Sequence, residues 1–448
     1  MSEVIKIRKG LDIKLLGKAE KTLQSAENAN SFALKPTDFT NLTPKMDVKV
    51  GDEVKCGSPL FHDKYKPEVL FTSPVSGKVS AINRGERRRI LEVVVEPDGK
   101  QEKITFKSGN PESMSKEDIT ENLKKSGCWP FIRQRPYGII ANPMDTPMSV
   151  YVSGFDSAPL APDYDYVLQN QIEDFQTGID VLGKLTSGKV HLNLNAANTA
   201  SPLKKIKNAV LTQFSGPHPA GNVGIQIHHI RPINKGDLVW YVNPQDLAII
   251  GRLFNKGHFD ASRVIAMAGS EVSKPQYYKT TLGTSVEALS ANTKDGEIRL
   301  ISGNVLTGTQ IAKTGYLGFY DSMVTVIPEG NYFEFLGWAL PGFGKLSTSK
   351  SYLAWITPNK EFKADTNFHG GKRAFVTTGD YEKVFPMDIM PVQLLKSIII
   401  EDIDKMEQLG IYEVVEEDMA LCEFICTSKI EVQEILRTGI DTMIKELG

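Results

Sequence analysis

The stretch from Ser215 to Pro232, SGPHPAGNVGIQIHHIRP, constrains this chain more than any other. Pro217 and Pro219 fix φ, and Gly216, Gly221 and Gly224 reach backbone conformations closed to other residues. The segment therefore reads as a rigid, irregular loop around which neighbouring elements are arranged. Loops held this tightly are often functional. Three of the seven histidines, His218, His228 and His229, lie in it. One reading makes them metal ligands; the other has them bonding backbone or lining an interface. A structural metal site needs four well-spaced Cys or His ligands and no cysteine is near, so the second reading is preferred and no metal is assigned.

At 448 residues the chain has room for roughly three or four domains. Its net charge of −2 and pI near 6.4 exclude the strongly basic class of nucleic-acid binders. The basic clusters, Arg84 with Arg87, Arg88 and Arg89, and Arg133 with Arg135, are read by default as solvated faces. Four cysteines are too few for a disulfide scaffold, which favours a reducing compartment. The amino terminus, MSEVIKIRKGLDIKLLG, lacks the apolar core of a secretory signal, and no run approaches the ~18–20 apolar residues that cross a bilayer. Membrane contact would then run through another chain.

The pattern divides the chain in order and predicts an α+β multidomain fold. Residues 1–105 alternate short strands with glycine turns, as in MDVKVGDEVKCGSPLF and VLFTSPVSGKVSAI, with Val48, Val50 and Val54 at period two. The halves VKVGDEVKCGSPL and TSPVSGKVSAINRG resemble the barrel-sandwich hybrid of biotinyl and lipoyl carrier domains. Asp63–Lys64 lies near the position of a carrier lysine, but the nearby Pro67 departs from that pattern, so Lys64 is read as a plain hairpin residue. Residues 106–136 form a connector with a helix in SKEDITENLKKSG, capped by Ser115 with Asp118 three residues on. Over 137–260 strands alternate with helices, which predicts a Rossmann-like α/β domain with a mainly parallel sheet. There Phe175, Ile179, Leu182 and Leu185 recur at helical spacing. GIDVLGK, Gly178 to Lys184, has phosphate-loop spacing but Leu185 where Ser or Thr is required, and it falls inside a helix. GFGKLS at Gly342 is likewise no dinucleotide fingerprint, because no strand and helix flank it.

Residues 261–330 turn β-rich, and the order of strand, Gly turn, Lys–Pro and a helix opened by GTS resembles a β-grasp (SLBB-like) domain. Thr284 or Ser285 is expected to cap that helix. Residues 331–390 read as irregular and aromatic. Residues 391–448 read as helical, with Leu395, Ile399, Ile403 and Met406 on one helix and Val432, Ile435, Leu436, Met443 and Ile444 on another. Cys422 and Cys426 share a helix face there and read as small buried side chains, since two thiols cannot hold an iron–sulfur cluster.

IKIRKGLDIKLLG, FTSPVSGKVSAINRGERR, SGCWPFIRQRPY, SGPHPAGNVGI, GDYEKVFPMDIMP and EEDMALCEFIC together resemble the A-subunit family of the sodium-translocating NADH:quinone oxidoreductases, over essentially the whole length. The resemblance implies a peripheral subunit on the cytoplasmic face of a bacterial inner membrane, assembled with five others, B to F. That complex passes electrons from NADH to ubiquinone while exporting sodium, with FMN, FAD, riboflavin and iron–sulfur centres in the partner subunits. The domain series is also similar to the NADH-binding subunit of respiratory complex I and to the Rnf C subunit. Those relatives keep a glycine-rich flavin loop after the connector helix, where backbone amides approach phosphates. Here SGCWPFIRQRP puts Trp129, Pro130 and Phe131 in that place, and their rings would fill the flavin cavity. The carboxyl end resembles an iron–sulfur motif reduced to Cys422 and Cys426. The chain is thus expected to carry no redox cofactor and to assist quinone reduction or assembly without catalysing alone. By residue type, Trp129, Phe131, Arg133, Arg135, His218, His228 and His229 are the quinone-binding candidates; the bland alternative has the aromatics in the core and the arginines paired with acids. The functional alternative is an NADH- and flavin-binding module of the Rnf C-subunit type.

Overall fold

The computed structural model describes residues 4–26, 29–337, 339–346, 352–357 and 359–447. Met1–Glu3 of the amino-terminal segment, Trp338 in the aromatic stretch and Ser347 at the end of GFGKLS lie outside the described residues.

Alternating apolar positions between glycine turns give two small antiparallel sheets. One runs in the order Phe32–Leu34, Ile90–Pro97, Gly77–Arg84, Glu53–Val54, and the other Pro44–Met46, Pro59–Asp63, Lys66–Thr72. Val54, Phe61, Phe71, Val79, Val93 and Val95 belong to one core, where the Phe61 and Phe71 rings stack at 4.7 Å. Val50 breaks the expected alternation and is 60% exposed, because it sits in the turn with Gly51 and not in a strand. Lys64 and Tyr65 form the tip of the hairpin between Pro59–Asp63 and Lys66–Thr72. The Lys64 backbone N–H donates to the Thr43 carbonyl at 2.8 Å.

The strand and helix alternation builds a seven-stranded sheet in the order Val4–Lys6, Val210–Ser215, Lys189–Asn195, Ser149–Ser153, Val239–Tyr241, Arg133–Arg135, Ile139–Ile140. The first five run parallel and the last two add antiparallel. Phe175, Ile179, Leu182 and Leu185 are fully buried on the helix Ile172–Leu185, which packs along Pro244–Lys256. At Gly178 an added Cβ would meet the Leu247 carbonyl oxygen at 2.4 Å. The glycine of GIDVLGK therefore serves close approach of two helices, not a phosphate.

A six-stranded sheet follows, ordered Thr309–Ile311, Ile298–Ser302, Met323–Pro328, Ser262–Ala268, Gln276–Thr281, Glu20–Ser25. Its last strand departs from the expected 1–105 grouping, as does Val4–Lys6 in the larger sheet. Both are edge strands, whose unpaired N–H and C=O groups are met by partners far away in sequence. The GTS helix is a single turn, Glu287–Ser290. Ser285 Oγ accepts the Glu287 N–H at 3.3 Å, whereas the Thr284 hydroxyl donates to the Ser285 carbonyl.

The connector helix Lys116–Ser126 starts where expected, with Ser115 Oγ accepting the Asp118 N–H at 3.1 Å. Within 331–390 the described helices are only Leu353–Ile356 and Tyr381–Val384. The carboxyl end is helical over Pro391–Ile399, Ile403–Gln408, Glu416–Ile425 and Val432–Leu447. The single helix expected through Leu395 and Met406 is two helices, interrupted at Glu401 with φ of 56°. Leu395 and Met406 are buried on their separate helices, and Ile399 is 54% exposed.

Candidate functional site

In the seven-stranded sheet the strand order reverses at Ser149–Ser153, whose neighbours are Lys189–Asn195 on one side and Val239–Tyr241 on the other. Such a switch point in an open α/β sheet leaves a crevice at the carboxyl ends of the strands, where ligands bind. A cavity of about 110 Å³ lies there. Phe155 and Asp156 reach it from one strand end, Asn243 from the other, and Asn222 from the start of the helix Val223–Ile230. Leu306 and Glu417 close it from the six-stranded sheet's loops and from the carboxyl-terminal helices.

Arg133 is the cationic centre. Its guanidinium lies 4.5 Å from the Tyr241 ring and 4.3 Å from the Tyr320 ring, Nη2 donates to Asn243 Oδ1 at 2.9 Å, and buried Nε has no partner. The Tyr320 hydroxyl is fixed by donating to the Pro130 carbonyl at 2.7 Å. Burial pushes the Asp156 carboxyl up from its ordinary value although Oδ1 accepts the Ala158 N–H at 2.8 Å. Burial also raises Glu417, against the attraction of Arg135. His218 is nearly buried, and desolvation lowers its imidazole to about 4, so it is neutral near pH 7. Nδ1 lies 3.0 Å from Ser157 Oγ, and the His218 backbone N–H donates to Asp12 Oδ1 at 2.9 Å. The crevice thus offers a fixed cation, carboxyls held toward neutrality and an uncharged imidazole. Its volume is well below the ~300 Å³ at which drug-sized pockets begin.

Of the residues singled out in the sequence, Arg133 and His218 meet at this crevice; the others do not line it. Trp129 is fully buried, donating Nε1–H to the Ala141 carbonyl at 2.8 Å and standing edge-on to Trp240. Phe131 stacks on Phe319 at 4.8 Å. Arg133 and Arg135 are not the solvated face expected of a basic pair: Arg133 lines the crevice, and Arg135, without exposure, donates to Asp418 at 2.5 Å and Glu417 at 2.8 Å, acids remote in sequence that balance its charge in the interior. The expected loop is helical from Val223 to Ile230, which carries His228 and His229 to the helix's last turn. His228 Nε2 accepts the Asp388 N–H, so Nδ1–H donates to Glu413 Oε2 at 2.8 Å. His229 is exposed and its Nδ1 bonds the Ile225 carbonyl at 2.9 Å.

Sequence reasoning missed Asp156, Asn243 and Glu417. The first two follow the parallel strands Ser149–Ser153 and Val239–Tyr241, a position that marks crevice residues once strand order is known. Glu417 gave no signal, being one acid in a run of three on a distant helix. Cys422 is fully buried on its helix, and Cys426, at the helix end, accepts the Ile430 N–H at 3.4 Å.

Residues 5–98 match the family model of the NqrA N-terminal barrel-sandwich hybrid domain, 114–259 that of the NqrA second alpha/beta domain, and 264–313 that of the NQRA C-terminal domain. Among curated relatives, the A subunit of the Na(+)-translocating NADH-quinone reductase of Yersinia pestis bv. Antiqua (strain Angola) is 41% identical over 99% of this chain and 100% of its own length. The proteins of the same name from Pasteurella multocida (strain Pm70) and Neisseria meningitidis serogroup A are 40% and 41% identical, each over 99% of this chain and 100% of theirs. A solved NAD+-reducing [NiFe]-hydrogenase in the air-oxidized state is similar at a TM-score of 0.38 and 12% identity, over 75% of this chain and 62% of that one. That degree of likeness carries no argument.

Proposed function

The chain belongs to the NqrA family, the A subunits of Na+-translocating NADH-quinone reductases, and from that membership we propose that it works as one subunit of such a complex, holds no redox group of its own, and serves electron flow by joining partner subunits beside the quinone site. The observation that supports the cofactor-free reading is Trp129. Its ring is wholly buried, bonded to Ala141 and wedged against Trp240, at the position where resembling flavoproteins keep a glycine-rich loop. A flavin there would have to displace two indoles, whose burial is worth several kcal/mol. No described helix is long and apolar enough to cross a membrane, and in this reading partners hold the chain at the cytoplasmic face.

The quinone part of the reading narrows to Arg133 and His218. Trp129, Phe131 and Arg135 are occupied in packing and ion pairs, and the crevice is too small for a prenylated ring, so any quinone pocket is completed by another chain. Two measurements test this. Chain purified from cells should be colourless, release no flavin on denaturation, and keep its melting temperature when NADH is added; bound flavin would overturn the cofactor-free reading. In membranes carrying the whole complex, a photoreactive quinone that labels partner subunits and never this chain would end the quinone part.

A further inference from the structure

We propose that the crevice at the switch point is by itself a binding site for a small zwitterion, an amino acid whose carboxylate meets Arg133 and whose ammonium meets Asp156 and Glu417. The inference goes beyond the subunit reading and stands without it, because every group it uses belongs to this chain. Its starting point is two opposite charges that line one cavity and have no ionic partner. Among the described residues Arg133 forms no ion pair; the Tyr241 and Tyr320 rings and Asn243 Oδ1 hold its guanidinium, and buried Nε has no acceptor. Asp156 meets no cation there either, and Oδ1 accepts a backbone N–H, that of Ala158, at 2.8 Å.

Charges drawn out of water are costly unless they are paired. A simple anion at Arg133 would be repelled by the two carboxyls, and a simple cation at Asp156 by the guanidinium; a ligand carrying both signs satisfies both. Glu417 supplies a second acceptor for the three N–H bonds of an ammonium. Its Oε1 already accepts Arg135 Nη2 at 2.8 Å, but the side chain keeps 34% exposure and lines the cavity. The carboxylate end is served by the helix Pro244–Lys256, which begins beside Arg133. Asn243 bonds Arg133 and does not cap that helix, so its first-turn N–H groups have no side-chain acceptor and favour a negative group. Asp246 in the same turn is already paired with Arg263 at 2.5 Å. The volume sets the size. A cavity of about 110 Å³ is smaller than the ~150 Å³ that admits benzene, so it takes roughly five or six non-hydrogen atoms. Glycine, alanine and β-alanine are of that size.

Calorimetric titration of the purified full chain with glycine, L-alanine, β-alanine, acetate and methylammonium tests this. At least one of the amino acids should bind with a Kd below about 1 mM. It should bind roughly tenfold or more tightly than acetate or methylammonium, each of which carries only one of the two charges. Asp156→Asn keeps an Oδ1 acceptor for the Ala158 N–H and removes an unpaired carboxyl, so its melting temperature should not fall, while its affinity for the amino acid should drop to that for acetate. No binding of any amino acid at about 10 mM, acetate bound as tightly as the amino acids, or an Asp156→Asn protein that binds them like the parent would each overturn the inference. If that variant fails to fold, the preference of the parent over acetate decides alone. None of these outcomes bears on the subunit reading.

Discussion

Arg135 and Asp418, 283 residues apart in the chain, meet at 2.5 Å with both side chains fully buried. Asp418 also accepts the Val415 N–H at 3.0 Å, so the same carboxylate caps the helix Glu416–Ile425 and ties it to the edge of the seven-stranded sheet. Gly224 fits beneath the pair, since an added Cβ would lie 2.5 Å from Asp418 Oδ1. Arg135→Ala strands a buried carboxylate and is expected to cost about 3–5 kcal/mol, lost first as hydrogen-exchange protection over residues 416–447. Arg135→Met combined with Asp418→Leu should cost less than the sum of the single changes, because neither charge is then left alone. An Arg135→Ala protein as protected as the parent would refute this account of the clamp.

Trp129 gives a graded prediction. Trp129→Phe removes the Nε1–H bond to Ala141 and part of the ring, and should cost about 1–2 kcal/mol. Trp129→Ala opens a cavity beside Trp240 and should cost about 3–5 kcal/mol. Urea denaturation monitored by tryptophan fluorescence compares them. Equal costs for the two variants would mean that packing of the ring contributes little.

Local pattern made the α/β alternation legible: Phe175, Ile179, Leu182 and Leu185 all reach the core, and Ser115 caps its helix as spacing implied. What it hid was pairing at long range. Glu20–Ser25 has every residue exposed and pairs in parallel with Gln276–Thr281, so nothing local marks its partner. The site was half legible for the same reason. Arg133 and His218 come from segments rich in punctuating residues, which drew notice. Asp156 and Glu417 become significant only when the sheet order and the carboxyl-terminal helices bring them to one crevice. Arg135 and His228 looked like ligand contacts because their acidic partners, Asp418 and Glu413, are remote in sequence.

The four cysteines should be inert in the folded protein. All are buried, and burial pushes the Cys56 and Cys128 thiols up to about 12 and Cys422 up as well. The thiolate is the reactive form, so iodoacetamide near pH 8 should modify none of them before unfolding and all four in denaturant. Rapid native labelling of Cys422 would mean that the carboxyl-terminal helices open readily.

His218 sets a pH dependence whose sign follows from its environment. Desolvation lowers the folded-state value from 6.5 to about 4, so between those values the unfolded chain takes up a proton that the folded chain refuses. The neutral imidazole's contribution is therefore complete above pH ~6.5, declines as pH falls toward 4, and amounts to at most about 3 kcal/mol over the window. Asp38 and Asp246, which burial raises to about 6, act in the opposite direction below that pH. The raw stability curve mixes these effects, and subtraction separates them. The stability of the parent minus that of His218→Asn should be level from pH 8 to 6.5 and then fall toward pH 4.5. A difference that stays flat throughout would mean that the imidazole beside Ser157 is protonated as readily as one in water.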